Sequence, residues 1–134
     1  MAVGGIVTAY NLKEKRFIDF RKNGTIEITE KGKKRILQYG IEDIKVNIPT
    51  KWDGCWRIVA FDIPEKFKKA RNALSGKIKK LGLFPLQKSV FVCPFECKNE
   101  IDFVSEFFNV GKFVHYIVAK EVDSENFLKQ HFGL

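Results

Sequence analysis

Apolar and polar positions alternate with a period of two through residues 17–28. There Phe17-Ile18-Asp19-Phe20 and Thr25-Ile26-Glu27-Ile28 flank Asn23-Gly24. Asn-Gly between two alternating runs marks a β-hairpin, because both residues tolerate the positive φ of a type I′ turn. Thr29 then stands where a helix cap belongs, ahead of a helix running to about Tyr39, with Gly40 placed to stop it. Residues 8–15 read as the end of an earlier helix. Residues 41–51, polar and carrying Pro49, read as a linker.

The stronger pattern starts at Trp56. Residues 56–63, WRIVAFDI, are a β-branched and aromatic run ended by Pro64, hence a buried strand. Phe67, Ala70, Leu74, Ile78 and Leu81 then recur at spacings of three and four, which places them on one face of a helix that Gly82 ends. Residues 84–95, FPLQKSVFVCPF, are long enough for one bent strand or two short ones. A second helix opens at Lys98 or Asn99, with Ile101, Val104, Phe107 and Phe108 inward and its end near Gly111. Residues 113–120 form a last strand. Residues 123–132 form a short helix capped by Asp123 or Ser124. With 84–95 split in two, the order is βαββαβ, an α+β domain of ferredoxin-like arrangement. Two helices on one sheet face leave the other face for a partner, and Val90, Val92, Val114 and Val118 offer it apolar surface.

Composition narrows the class. The chain has 134 residues, 24 Lys+Arg against 16 Asp+Glu, and a net charge of +8. Its 13 Phe and 2 Trp supply a core that a disordered chain lacks. No apolar run reaches the roughly 18 residues that span a bilayer, so no membrane partner is expected. Three cysteines and no export signal point to the reducing cytoplasm. The positive charge favours a polyanionic partner, nucleic acid above all. It is concentrated: Lys66, Lys68, Lys69, Arg71, Lys77, Lys79 and Lys80 face the single acid Glu65 over residues 65–80, a local charge of +6 (7 − 1). For Lys77–Lys80 a solvated helix face is an equally good reading.

Helix end, hairpin and then ITEKGKKRIL resembles the second half of a winged-helix DNA-binding domain, whose wing runs straight into a helix opening Thr-x-x-Gly. Two further helices would have to precede it. Residues 1–40 therefore read as a truncated winged-helix-like segment, residues 41–51 as the linker and residues 52–134 as the ferredoxin-like domain. The alternative is a hairpin and helix decorating the main domain.

Phe61-Asp62-Ile63, a basic helix containing Arg71, Leu81-Gly82 and Gln87-Lys88-Ser89-Val90-Phe91 together resemble the CRISPR-associated spacer-acquisition endonucleases, the second of the two universal CRISPR adaptation proteins. That resemblance spans about residues 54–122. The winged-helix-like start, FPLQKSVFV and the Trp52-Asp53-Gly54-Cys55-Trp56 approach also resemble the phenylacetate-degradation transcriptional repressors, which join a winged helix to a domain of the same fold. Those repressors often lack the strand-end acid that this chain keeps as Asp62.

The endonuclease resemblance implies a homodimer in which Asp62 from both subunits holds Mg²⁺ or Mn²⁺ and acts in catalysis. Such an ion takes oxygen ligands, polarises a phosphodiester and activates water. Gln87 and Ser89 would position phosphate or water. Arg21, Lys22, Lys66, Lys69 and Arg71 would contact the phosphates of DNA or RNA. A CRISPR integrase is a further implied partner. Against this, Asp62-Ile-Pro-Glu65 is also a capping-box arrangement with Pro64 at the first helical turn, which needs no metal. Cys93 and Cys97, with no second ligand pair in register, read as buried core thiols rather than zinc ligands, and His115 as a sheet residue. Trp52 and Trp56 either stack on bases or pack at the domain junction; the Phe run over residues 103–108 reads as core. Three functions follow. One is a nucleic-acid-binding dimer with metal-dependent endonuclease chemistry. A second is a winged-helix regulator whose ferredoxin-like domain only dimerises. The third is a protein-interaction module that meets no nucleic acid.

Overall fold

The computed structural model describes residues 18–20 and 26–134. The chain divides into two compact units, Met1–Ile44 and Lys45–Leu134.

In the first unit, strands β1 (Ile18–Phe20) and β2 (Ile26–Ile28) pair antiparallel with Ile18 opposite Ile28. The hairpin forms as the alternation predicts. Its Asn23-Gly24 turn, together with Arg21 and Lys22, lies outside the described residues, as do residues 8–15. Thr29 caps helix α1 (Glu30–Asp43), its hydroxyl accepting from the Gly32 amide at 3.0 Å. Gly40 does not stop the helix. It lacks the positive φ of a terminating glycine, and the helix continues to bury Ile41 before Ile44 turns to extended backbone.

The second unit carries β3 (Trp56–Phe61), a 3-10 turn (Glu65–Phe67), α2 (Lys68–Lys80), β4 (Phe84–Gln87) and β5 (Val90–Cys93). Helix α3 (Lys98–Phe107), a second 3-10 turn (Gly111–Phe113), β6 (Val114–Ala119) and α4 (Glu125–Phe132) complete it. The four strands form an antiparallel sheet in the order β4-β5-β3-β6, the ferredoxin-like topology. Residues 84–95 are thus two strands. Gly82, at φ 99°, ends α2 where an L side chain would be strained.

One sheet face presents Val59, Phe61 and Phe91, buried together with Leu74 and Ile78 of α2 and Ile101 and Val104 of α3. The Phe61 and Phe91 rings stack with centroids 6.0 Å apart. On α3 the inner position after Val104 is Ser105, while Phe103, Phe107 and Phe108 are only half-buried. The Phe run is therefore largely helix flank rather than core. The helix stops short of Gly111 because Asn109 takes φ 59°, a left-handed conformation that Asn tolerates.

The opposite face is not free of helix. Trp56, Val92 and Leu128 form a buried cluster there, with Trp52, Ile58, Phe84, Leu86, Val122 and Phe132 packed against it. Leu128 and Phe132, four apart on α4, supply the apolar stripe. Register also splits the expected valine surface. Ile58 pairs with Val92 and Ile117, whereas Phe61 pairs with Val114 and Arg57 with Val118. With side chains alternating along each strand, Val114 and Val118 lie on the face away from Val90 and Val92. What stays open is edge strand β6, where Ile117 is 46% and Val118 56% exposed. Among the described residues no helix is long and apolar enough to cross a membrane.

Candidate functional site

Asp62 follows the last residue of β3. The Phe61 amide donates to the Ser89 carbonyl at 3.0 Å, and the Asp62 amide to the Phe113 carbonyl at 3.1 Å. The β4–β5 turn therefore flanks the acid on one side and the start of β6 on the other. Ser89 is brought beside Asp62. Gln87 is not: it sits exposed on β4, with β5 between it and β3.

The capping box does not form. Ile63 is 4% exposed, so the chain first turns inward to bury it, and Pro64 is extended at ψ 150°. Only then does the 3-10 turn begin, and neither Pro64 nor Phe67 provides a side-chain cap. Asp62 belongs to the end of the strand rather than the start of the helix. Its carboxylate is exposed and makes no hydrogen bond or ion pair among the described residues.

A divalent ion such as Mg²⁺ requires about six oxygens, several of them water. Among the described residues no group of three His, Cys, Asp or Glu is placed to hold a metal ion. One chain's donor set, a lone Asp62, does not fit such an ion.

The basic residues divide into committed and free. Arg71 is half-buried and donates to Glu65 Oε2 at 3.0 Å, and Lys68 lies 4.0 Å from the same carboxylate. Lys66 and Lys69 are exposed, Lys66 over the Phe67 ring at 5.1 Å. Helix α2 contains no acid. Leu74 and Ile78 face the core, and Lys69 and Lys80 lie on the opposite side, with Lys79 also exposed. Lys77, Lys79 and Lys80 occupy the last turn, where the helix dipole favours positive charge. Residues passed over in the sequence also join this end of the sheet. Lys88 is exposed in the β4–β5 turn beside Ser89, and Lys112 lies over the Phe113 ring at 5.1 Å. Lys88 was legible inside Gln87-Lys88-Ser89; Lys112 becomes part of the group only through the Asp62–Phe113 bond.

The other candidates resolve into structure. Trp56 is fully buried with its ring 4.9 Å from that of Trp52, so it packs and does not stack on bases. Cys93 and Cys97 are free and buried. The hydrogen bond with the neighbouring Cys93 sulfur, and then burial, push the Cys97 thiol up. His115 is an exposed residue of β6. Arg57 is 6% exposed and holds Asp53, the Cys55 carbonyl and the Pro94 carbonyl. The Arg57 hydrogen bond draws Asp53 from 3.8 down to about 2. A carboxylate lowered on folding stabilises the fold above its ordinary value and loses that contribution as pH falls toward the folded one. The Arg57–Asp53 contribution is therefore full above about 4 and fades toward 2. Asp53→Asn is expected to flatten that part of the urea-midpoint profile; an unchanged acid slope would refute the assignment.

Residues 49–129 match the family model described as PaaX protein central Cas2-like domain. No curated protein matches the chain.

Proposed function

The chain belongs to the PaaX central Cas2-like domain family, and on that premise we propose that it is a DNA-binding regulator whose ferredoxin-like domain holds duplex phosphates and pairs with a second copy. The observation that carries this reading is the acid-free outer face of α2, with Lys69, Lys79 and Lys80 exposed and outside the Glu65 cluster. Lysines of this kind bind phosphate as point charges and carry no base specificity. Sequence reading then falls to the first unit, where the hairpin and α1 act as the wing and following helix of a winged-helix module. Arg21 and Lys22 supply its phosphate contacts. The second copy covers the open edge of β6 over Ile117 and Val118, since an exposed apolar edge strand is otherwise a liability.

Mobility shifts on duplex DNA across a salt series test the reading. About six phosphate contacts give a log–log slope near −5. Lys69→Ala with Lys80→Ala is expected to lower that slope by about 2. A flat salt response, or a slope the double variant leaves unchanged, overturns it. A monomer in sedimentation at high concentration removes the second copy.

A metal-dependent phosphodiesterase is the second reading. It is favoured by one observation, the Asp62 carboxylate left free, among the described residues, of any cap or ion pair beside Ser89. It requires Asp62 of two chains and Mg²⁺ or Mn²⁺. Cleavage of DNA or RNA that needs Mn²⁺ and disappears in Asp62→Asn supports it; no cleavage, or cleavage unaltered by the substitution, ends it.

A further inference from the structure

A groove of about 330 Å³ opens between the start of α2 and the connection from α3 to β6. Phe67, Phe108 and Phe113 line it, together with the small side chain of Ala70. The Phe67 and Phe113 rings lie 5.9 Å apart, and Phe67 is 39% exposed. Phe108 and Phe113 are only half-buried. Three incompletely buried rings around one opening form a surface that a flat apolar ligand covers.

The groove is also cationic. No acid lines it, and Lys112 does. Lys112 Nζ lies 5.1 Å from the centre of the Phe113 ring, and Lys66 Nζ 5.1 Å from that of Phe67. Each of the two rings thus has an ammonium group at hand. Asn109, exposed in the lining, offers an amide that both donates and accepts. From Lys80 the exposed lysines of α2 lead back to Lys69, the residue before Ala70. Lys80 and Lys69 are on one side of the helix and about 16 Å apart along it, roughly five base steps of a DNA strand. A row of positive charge that ends at an aromatic, acid-free groove suits a strand end, where the backbone is held and the last base has no partner.

We propose that this groove receives an unpaired base at the end of a DNA strand whose phosphates lie along α2. The base stacks on Phe67 and Phe113, Asn109 meets its edge, and Lys66 and Lys112 hold the flanking phosphates. This base site rests on the DNA reading above and adds to it a preference for strand ends.

Mobility shifts of the whole chain on three forms of one duplex test the site. One form is blunt, one carries a single unpaired adenine at its 3′ or its 5′ end, and one carries an abasic nucleotide there. The abasic form keeps the extra phosphate, so the comparison isolates the base. The adenine form, in one polarity, is expected to bind about tenfold tighter than the abasic form, as one base stacked on an aromatic side chain does. Phe67→Ala, and Ala70→Leu by filling the groove, each bring that ratio below about threefold. Phe127→Ala removes a 55% exposed ring of α4 outside the groove and leaves the ratio at its full value. Lys112→Gln lowers the salt slope by about 1 on both end-modified forms. Salt-dependent binding with equal affinity for adenine and abasic ends overturns the base site and leaves the DNA reading standing. Binding to none of the three forms overturns both. An adenine preference that persists in Phe67→Ala and in Ala70→Leu places the base elsewhere and also overturns the site.

Discussion

Trp56→Ala is expected to remove about 3–5 kcal/mol from the second unit, enough to leave a domain of ordinary stability marginal or unfolded. The residue has no solvent exposure and sits at the centre of the sheet face that α4 covers, against Val92 and Leu128. Its ring meets Trp52 at 4.9 Å and Phe132 at 6.4 Å, and its Nε1 donates to Glu125 Oε1 at 3.1 Å. Truncation removes the transfer free energy of the indole, opens a cavity and strands both aromatic neighbours at once. The loss corresponds to a fall in melting temperature of about 15–30 °C for a domain of this size. Trp56→Phe keeps a ring but forfeits the bond to Glu125 and is expected to cost about 1–2 kcal/mol. Urea denaturation followed by circular dichroism measures both. A loss below about 1 kcal/mol for the alanine variant would mean that α4 does not pack on the sheet.

Arg57→Met is expected to cost about 2–4 kcal/mol, chiefly through the carbonyls it abandons. The guanidinium is buried, and its Nη1 donates to the Pro94 carbonyl at 2.8 Å and the Cys55 carbonyl at 3.0 Å. It thereby ties the start of β3 to the β5–α3 connection. Its fork on Asp53 adds less, because that carboxylate is 54% exposed and water takes over when the arginine is gone. Asp53→Asn is accordingly expected to cost less than about 1 kcal/mol at neutral pH. Arg57→Lys keeps the charge but not the fork, and should fall between the two. Equal losses for Arg57→Met and Asp53→Asn, measured by urea midpoint, would reverse this ranking and make the ion pair the principal term.

The ferredoxin-like order was legible because each element carried its own local signal. Ala70, Leu74 and Ile78 repeat with the helical period, and Gly82 ends the helix that they mark, whereas Phe67, expected on the same inner face, is 39% exposed in the 3-10 turn before it. The family match over residues 49–129 agrees with the part of the chain where those signals are densest. Local signals failed where the deciding partner was distant. Asp62-x-x-Glu65 satisfies the capping pattern, yet burying Ile63 and pairing with Phe113 hold Asp62 on the strand. Gly40 satisfies the stop pattern, yet the helix runs on to bury Ile41. Arg71 looks like its lysine neighbours in the sequence, but the turn of the chain returns Glu65 to it.

Spacing along the chain sets the element order, the α+β class and the concentration of positive charge on one helix. Tertiary structure alone decided which sheet face α4 closes and that Trp56 is core rather than a stacking platform. It also decided that Asp62 stands free among the described residues and that Ser105, not Phe108, takes the inner position on α3. Each of these depends on groups brought together across strand register or helix packing. Alternation fixes which residues share a face of one strand, but the offset between neighbouring strands is set by the whole sheet.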